Sequence, residues 1–301
     1  MFKVGIALGG GAARGLAHIG VLGALEKAYI KPHVVAGTSV GAIIGGIYAR
    51  RAMLDDVKRR INEFLKGKTF QKASLHLLAQ KEARQENNEE EGWVANITGF
   101  LRKGLLLSHG VTRQSLIGKE EYEEIIRALM EDVEIEKFKL PFSAVSADLI
   151  SGKEVLFTRG SVRHAVMASS AIPGIFPPVE DGDKLLIDGG WVAPIPVDAC
   201  RALGANFVIA VDISADLEER MDFHRSINIF LRSNSIARQK LRELQTSRAD
   251  FVIRPSVGDQ HWADFSKVDE VIKLGEEAAN RVLKEVTKAI ATKRRRRWLK
   301  L

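Results

Sequence analysis

The 301-residue chain contains only one cysteine, Cys200, and has no apolar run long enough to cross a bilayer. A single cysteine excludes an intrachain disulfide and any zinc site built from several thiolates. A membrane-spanning helix needs about 20 consecutive apolar residues, so we expect a protein that does not cross a membrane. The first residues also lack the charged, apolar and cleavage regions of a signal peptide. Together these absences predict a cytoplasmic protein in a reducing compartment.

Negative charge is absent from the last nine residues, which carry six basic side chains. The rest of the chain is nearly neutral, which argues against a surface for nucleic acid. The basic end could attract anionic lipid on the inner face of the membrane, at roughly 1 kcal/mol per basic residue, or form a solvated, frayed terminus. We expect one domain over residues 1–292 and a basic tail over residues 293–301, and the candidate membrane contacts are Lys293, Arg294, Arg295, Arg296, Arg297 and Trp298.

Short β-branched or apolar runs alternate along the chain with longer segments of helical periodicity. This alternation predicts an α/β protein whose largely parallel sheet is crossed by helices. Residues 66–110 fit no single pattern, and their apolar stretch between Trp93 and Leu107 is typical of a core helix or of a lid over an acyl chain. The predicted strands are 2–8, 34–37, 142–148, 154–158, 185–188, 207–212 and 251–254, with 142–148 and 154–158 antiparallel. The predicted helices are 13–29, 40–50, 55–65, 161–170, 227–245 and 268–290.

A G-x-S-x-G pentapeptide, residues 37–41, joins a predicted strand to a predicted helix. In this arrangement a sharp turn presents a serine, here Ser39, and the flanking Gly37 and Gly41 permit its tight backbone. The helix that follows directs its amides and dipole toward the serine, where they favour negative charge. The pattern therefore indicates that Ser39 is a nucleophile in acyl transfer.

The glycine-rich turn after the first predicted strand could stabilise the oxyanion that such a nucleophile generates. Gly9, Gly10 and Gly11 can direct backbone N–H groups at a bound oxygen, and Arg14 adds a positive charge. A phosphate or dinucleotide loop has a similar composition. However, neither G-x-G-x-x-G nor G-x-x-x-x-G-K-[ST] is present, which favours the oxyanion hole.

Asp188 is the candidate base, since it ends a predicted strand and precedes Gly189 and Gly190. The carboxyl edge of an α/β sheet is where functional groups gather. An Asp-Gly pair is also a common hairpin turn. A Ser-Asp-His triad would need His224 or His261, and neither follows a glycine-punctuated strand.

Four segments together resemble the patatin-like phospholipases, and especially their single-domain bacterial members. They are GGGAARGLAHIGVL (9–22), GTSVGAIIGGIYA (37–49), MASSAIPGIFPPV (167–179) and LIDGGWVAPIPV (186–197). The resemblance implies a three-layer α/β/α fold and hydrolysis of a phospholipid or another acyl ester. It also implies a Ser39–Asp188 dyad without histidine, an oxyanion hole in the 9–14 loop, and no metal or other cofactor.

Two other functions use the same sequence features. An acyltransferase or thioesterase would share the dyad, and product analysis would distinguish it from a hydrolase. A membrane-surface regulatory protein could retain the fold with little turnover, although it has no physical need for a strained serine turn that faces glycine amides. The proline-rich loop 171–178 is expected to form a wall of the cleft, with Ile172, Ile175 and Phe176 in contact with substrate or core.

Overall fold

The structure is a computed structural model that describes residues 1–73, 115–215, 223, 226–257 and 265–299. Its strands are β1 (Val4–Leu8), β2 (Val34–Thr38), β3 (Phe142–Asp148), β4 (Glu154–Phe157), β5 (Val179–Asp181), β6 (Lys184–Asp188), β7 (Phe207–Val211) and β8 (Phe251–Ile253). Its α-helices are α1 (Ala17–Lys27), α2 (Val40–Arg51), α3 (Leu54–Lys66), α4 (Lys119–Leu129), α5 (Val162–Ser169), α6 (Val197–Ala202), α7 (Ser226–Ser247) and α8 (Val268–Trp298).

These strands form one sheet whose hydrogen-bonded neighbours follow the series β5-β6-β3-β2-β1-β7-β8, and β4 pairs with β3. The pairs from β3 through β2, β1 and β7 to β8 are parallel. β4 and β6 are both antiparallel to β3, and β5 is antiparallel to β6. The predicted α/β class with a mostly parallel sheet is confirmed.

Side chains on the two faces of the central strands belong to separate apolar clusters. Ile6 and Leu8 of β1 pack with α1 and α2, whereas Ala7 of the same strand packs with Val197 and Cys200 of α6. Because successive residues of a strand point to opposite faces, nearly continuous apolar strands require helices on both sides. The sheet is therefore the middle of three layers, as the resemblance implied.

Helices α1 and α8 are in direct backbone contact at two glycines, Gly20 and Gly275. A Cβ on Gly20 would lie 1.9 Å from the Ile272 carbonyl oxygen, and one on Gly275 would lie 2.0 Å from that of Ala17. Backbone contact this close leaves no room for a side chain. The glycines therefore fix how α8 crosses α1.

The basic end of the described chain continues helix α8 without a break at residue 293. Lys293 forms an ion pair with Asp250, and the Arg294 guanidinium lies 5.4 Å from the centre of the Phe2 ring. Phe2 precedes β1 and Asp250 precedes β8, so these contacts lie at the amino edge of the parallel strands. Helical structure, rather than fraying, extends through Trp298.

The sequence prediction missed three elements, namely β5, α4 and α6. β5 and α6 are short, and α4 is polar except for one narrow apolar stripe. The apolar stretch from Trp93 to Leu107 lies outside the described residues. No helix in the described part of the chain combines the length and the apolar character needed to span a bilayer.

Candidate active site

Ser39 occupies the sharp turn between β2 and α2, as the pentapeptide predicted. Its backbone has φ 56° and ψ −125°, a left-handed conformation that is strained for serine. The neighbouring glycines are needed because a Cβ on Gly37 would lie 2.2 Å from the Gly41 carbonyl oxygen, and one on Gly41 would lie 2.1 Å from that of Leu8. The packing that excludes these side chains holds Ser39 in its strained geometry.

Asp188 reaches the same point from the opposite direction. β4 pairs with Ala144–Ala147 of β3 and therefore occupies one edge of that strand. β2 and β6 pair with β3 residues that overlap this range, so both must lie along the other edge of β3. Thr38 lies opposite Val145, and Asp188 lies opposite the next residue, Ser146. The carboxyl ends of β2 and β6 therefore meet.

The Asp188 carboxylate lies within hydrogen-bonding reach of the Ser39 hydroxyl. It also accepts a hydrogen bond from the Gly190 N–H at 2.7 Å. Burial raises the pKa of Asp188, while the Ser39 and Gly190 contacts and the charge of Arg238 act in the opposite direction. A raised pKa makes this carboxylate a stronger base than an exposed aspartate.

The glycine loop lies against Ser39, but two of its predicted oxyanion donors are already paired. The Gly9 N–H donates to the Val211 carbonyl at 3.1 Å, and the Gly10 N–H donates to the Pro194 carbonyl at 3.1 Å. Those two amides therefore anchor the loop. A Cβ on Gly10 would lie 3.3 Å from the Ser39 Cβ, so the loop runs directly beside the serine.

Gly11 and Ala12 follow at the start of a 3₁₀ turn, Ala12–Leu16. The first amides of such a turn have no partner within it, and neither Gly11 nor Ala12 donates to a backbone carbonyl of the described residues. Ala12 adopts φ 48°, a conformation that glycine would occupy without strain. Arg14 is buried two residues further on.

Two buried side chains that the sequence did not single out as site residues fix this backbone. Ser169 accepts a hydrogen bond from the Ser39 N–H at 3.0 Å and donates to the Val145 carbonyl at 2.5 Å. His18 contacts the Gly9 carbonyl oxygen through Nε2 at 2.8 Å. Burial lowers the pKa of His18 to about 4, so its neutral ring donates this hydrogen bond at neutral pH. His18 therefore supports the glycine loop.

Tyr122 and Arg238 also lie close enough to Asp188 to interact with its charge. The Tyr122 hydroxyl donates to the Met167 carbonyl at 2.7 Å, and its ring stacks on Phe176 at a centroid distance of 4.1 Å. Neither residue belongs to a recognisable motif, and no local sequence signal could have identified them.

The two histidines that a triad would need, His224 and His261, lie outside the described residues. In the proline-rich loop, Ile175 is buried in the core, and the Ala171 carbonyl accepts the Asp188 N–H at 2.9 Å. This loop therefore helps to position Asp188.

The architecture is that of an α/β protein with a serine at a strand-to-helix elbow and an aspartate beside it. The family model for patatin-like phospholipase matches residues 6–201. The chain belongs to the patatin-like phospholipase family.

Individual relatives agree with this assignment. Patatin-like phospholipase domain-containing protein 6 of Mus musculus is 29% identical over 301 residues, which cover 90% of this chain and 20% of the mouse protein. An uncharacterized NTE family protein of Mycobacterium tuberculosis is 32% identical over 214 residues, 70% of this chain and 49% of that protein. The chain thus spans about half or less of the length of these relatives.

Solved structures with a similar chain course include VipD from Legionella pneumophila, with 13% identity and a TM-score of 0.48 over 94% of this chain and 67% of VipD. Human GIVD cytosolic phospholipase A2 has 12% identity and a TM-score of 0.45 over 97% of this chain and 59% of the human chain.

Proposed function

We propose that the protein is a serine hydrolase of lipid acyl esters, of the phospholipase A or lysophospholipase type. The observation that carries this proposal is the contact between the Ser39 hydroxyl and the buried Asp188 carboxylate at the meeting point of β2 and β6. Membership of the patatin-like phospholipase family supports a lipid ester as substrate.

In the acylation step, the Ser39 Oγ attacks the ester carbonyl carbon while its proton moves to Asp188. An ordinary aspartate has a pKa of about 3.9, far below that of a serine hydroxyl, so proton transfer must accompany bond formation. The tetrahedral intermediate then expels the alcohol or lysolipid, which takes the proton from Asp188. An acyl-Ser39 ester remains.

In the deacylation step, water attacks the acyl-Ser39 carbonyl and passes its proton to Asp188. Collapse of the second tetrahedral intermediate returns that proton to Ser39 Oγ and releases a fatty acid. In both steps the negative oxygen is stabilised by the amides of Gly11 and Ala12 and by the charge of Arg14. A well-placed donor contributes about 3 to 4 kcal/mol to such a transition state.

Labelling and product analysis test the proposal. The wild-type chain should be labelled at Ser39 by a fluorophosphonate and should release fatty acid from defined phospholipids and lysolipids, as detected by mass spectrometry. Ser39→Ala should lose both properties. Ser247→Ala, at an exposed serine of α7 whose hydroxyl donates to the Leu244 carbonyl, is a matched serine control that should still be labelled. Undiminished hydrolysis by Ser39→Ala would disprove the assignment.

A further inference from the structure

Helix α7 places its polar side chains toward the protein and several apolar ones toward solvent. Asn228, Arg242 and Gln245 are buried, whereas Ile229 and Phe230 are more than half exposed. This is the reverse of the usual amphipathic pattern. The inner face of α7 is therefore adapted to polar partners.

Gln245 has its partners in the loop that follows Asp188, and Arg242 has one in the segment after β7. Gln245 accepts a hydrogen bond from the Ile195 N–H at 2.9 Å and donates to the Val192 carbonyl at 3.0 Å. Arg242 donates to the Ala215 carbonyl at 3.0 Å. Helix α7 lies beyond residue 201, where the match to the family model ends.

Arg238 lies one helical turn before Arg242 and faces Asp188 across Gly190. The position that a Cβ on Gly190 would occupy lies 2.9 Å from Asp188 Oδ1 and 3.4 Å from Arg238 Nη2. The Arg238 guanidinium also lies 5.2 Å from the centre of the Trp191 ring. The absence of a side chain at Gly190 thus allows the two charges to approach, and Trp191 supports the guanidinium.

The two charges stabilise each other, with Asp188 buried and Arg238 partly buried. Burial lowers the pKa of Arg238 to about 10, and the Asp188 charge opposes that shift. In turn, the Arg238 charge acts against the rise in the pKa of Asp188. Arg238 stays protonated throughout an assay range of pH 4 to 9. Tyr122, a second titratable group that faces Asp188 among the described residues, stays neutral there because burial raises its pKa.

We propose that Arg238 is a positioning residue for the Ser39–Asp188 pair, in which its guanidinium, held over the Trp191 ring, orients the Asp188 carboxylate and keeps it ionised. This inference depends on the proposed function, because it assigns Asp188 the part of proton acceptor. It extends the site to a residue of α7.

The pH dependence of kcat/KM on a soluble p-nitrophenyl ester tests the inference with the full chain. In Arg238→Gln the acid limb should move about 1 pH unit upward, since the carboxylate loses a neighbouring positive charge. Arg238→Lys keeps the charge without the planar, multiply donating guanidinium, so its acid limb should stay near that of the wild type while kcat falls several-fold. Lys240→Gln, an exposed cation on the same helix, should change neither quantity.

An Arg238→Gln profile with an unmoved acid limb would overturn the inference, whatever its rate. An acid limb of Arg238→Lys that is displaced as far as the acid limb of Arg238→Gln would also overturn the inference. Failure of the proposed function would be seen separately, as hydrolysis that persists in Ser39→Ala.

A double-mutant cycle on urea unfolding needs no activity. Arg238→Gln should lower the urea midpoint more in the Asp188 background than in the Asp188→Asn background. Equal decreases would show that the two side chains do not interact and would contradict the proposal even for a chain without turnover.

Discussion

Ser39 directly follows β2 and Asp188 ends β6, and these two strands run toward each other along one edge of β3. Parallel β2 supplies the serine and antiparallel β6 supplies the aspartate, with Val145 and Ser146 as consecutive pairing partners. The geometry of the pair is thus set by backbone hydrogen bonding within the sheet and not by the flexibility of two loops.

Asp188→Asn should reduce kcat by about 10²- to 10⁴-fold, because an amide cannot accept the serine proton. Steady-state hydrolysis of a soluble ester measures this loss, and circular dichroism checks that the fold is retained. Asp183→Asn, at an exposed aspartate near β6, is the matched control and should have wild-type activity. A fully active Asp188→Asn would exclude the dyad.

The same Asp188→Asn change should stabilise the fold at neutral pH. Burial raises the pKa of Asp188, so the folded state disfavours the carboxylate relative to the unfolded chain, and this penalty applies at pH values above the ordinary aspartate pKa. Urea midpoints should be higher for the variant at pH 7. The difference should disappear as the pH falls below about 4, and a lower midpoint at pH 7 would contradict the burial argument.

Ala12→Gly should stabilise the protein by about 0.5 to 1 kcal/mol, because it relieves a left-handed alanine. The amide is kept, so hydrolysis should be unchanged. Ala13→Gly, at the next and fully buried position, should instead destabilise the fold by about 1 kcal/mol through lost packing and added chain entropy. Thermal or urea unfolding would reveal the opposite signs, and equal effects would rule out strain at Ala12.

His18 should make the wild-type fold sensitive to mild acid. Its folded-state pKa is lowered to about 4, whereas an unfolded histidine titrates near 6.5, so stability is lost as the pH falls through this interval. At pH 5 the loss is about 2 kcal/mol relative to pH 7. His18→Gln keeps an N–H donor without this titration and should show a flatter dependence of the urea midpoint on pH.

The membrane-contact hypothesis for the basic end can be tested on side chains that do not hold α8 in place. Lys293 and Arg294 contact Asp250 and Phe2, so Arg295, Arg296 and Arg297 are the ones to replace by glutamine. The triple variant should bind phosphatidylserine vesicles several-fold more weakly in a sedimentation assay while it hydrolyses a soluble ester at the normal rate. Unchanged vesicle binding would eliminate this role.

The chain pattern was sufficient to predict the elements that carry Ser39 and Asp188, because strand ends followed by glycine have a local signature. The direction of β6 was not predictable, since a short apolar run does not reveal which edge it joins. The paired state of Gly9 and Gly10 depends on the Val211 and Pro194 carbonyls, which are distant in sequence. Arg238 and Tyr122 reach Asp188 only through tertiary packing, and their own helices carry no motif.

Helix α8 carries its arginines to the amino edge of the parallel strands, while Ser39 lies at the carboxyl edge. A five-residue strand such as β1 is about 16 Å long. The amino and carboxyl edges of the sheet are therefore separated by roughly the length of one strand. A molecule held to a bilayer by its last helical turn would thus turn its serine toward the aqueous phase. In that orientation its ester would have to arrive as a dispersed lipid or from a second, facing membrane, and not from the leaflet to which the molecule is attached.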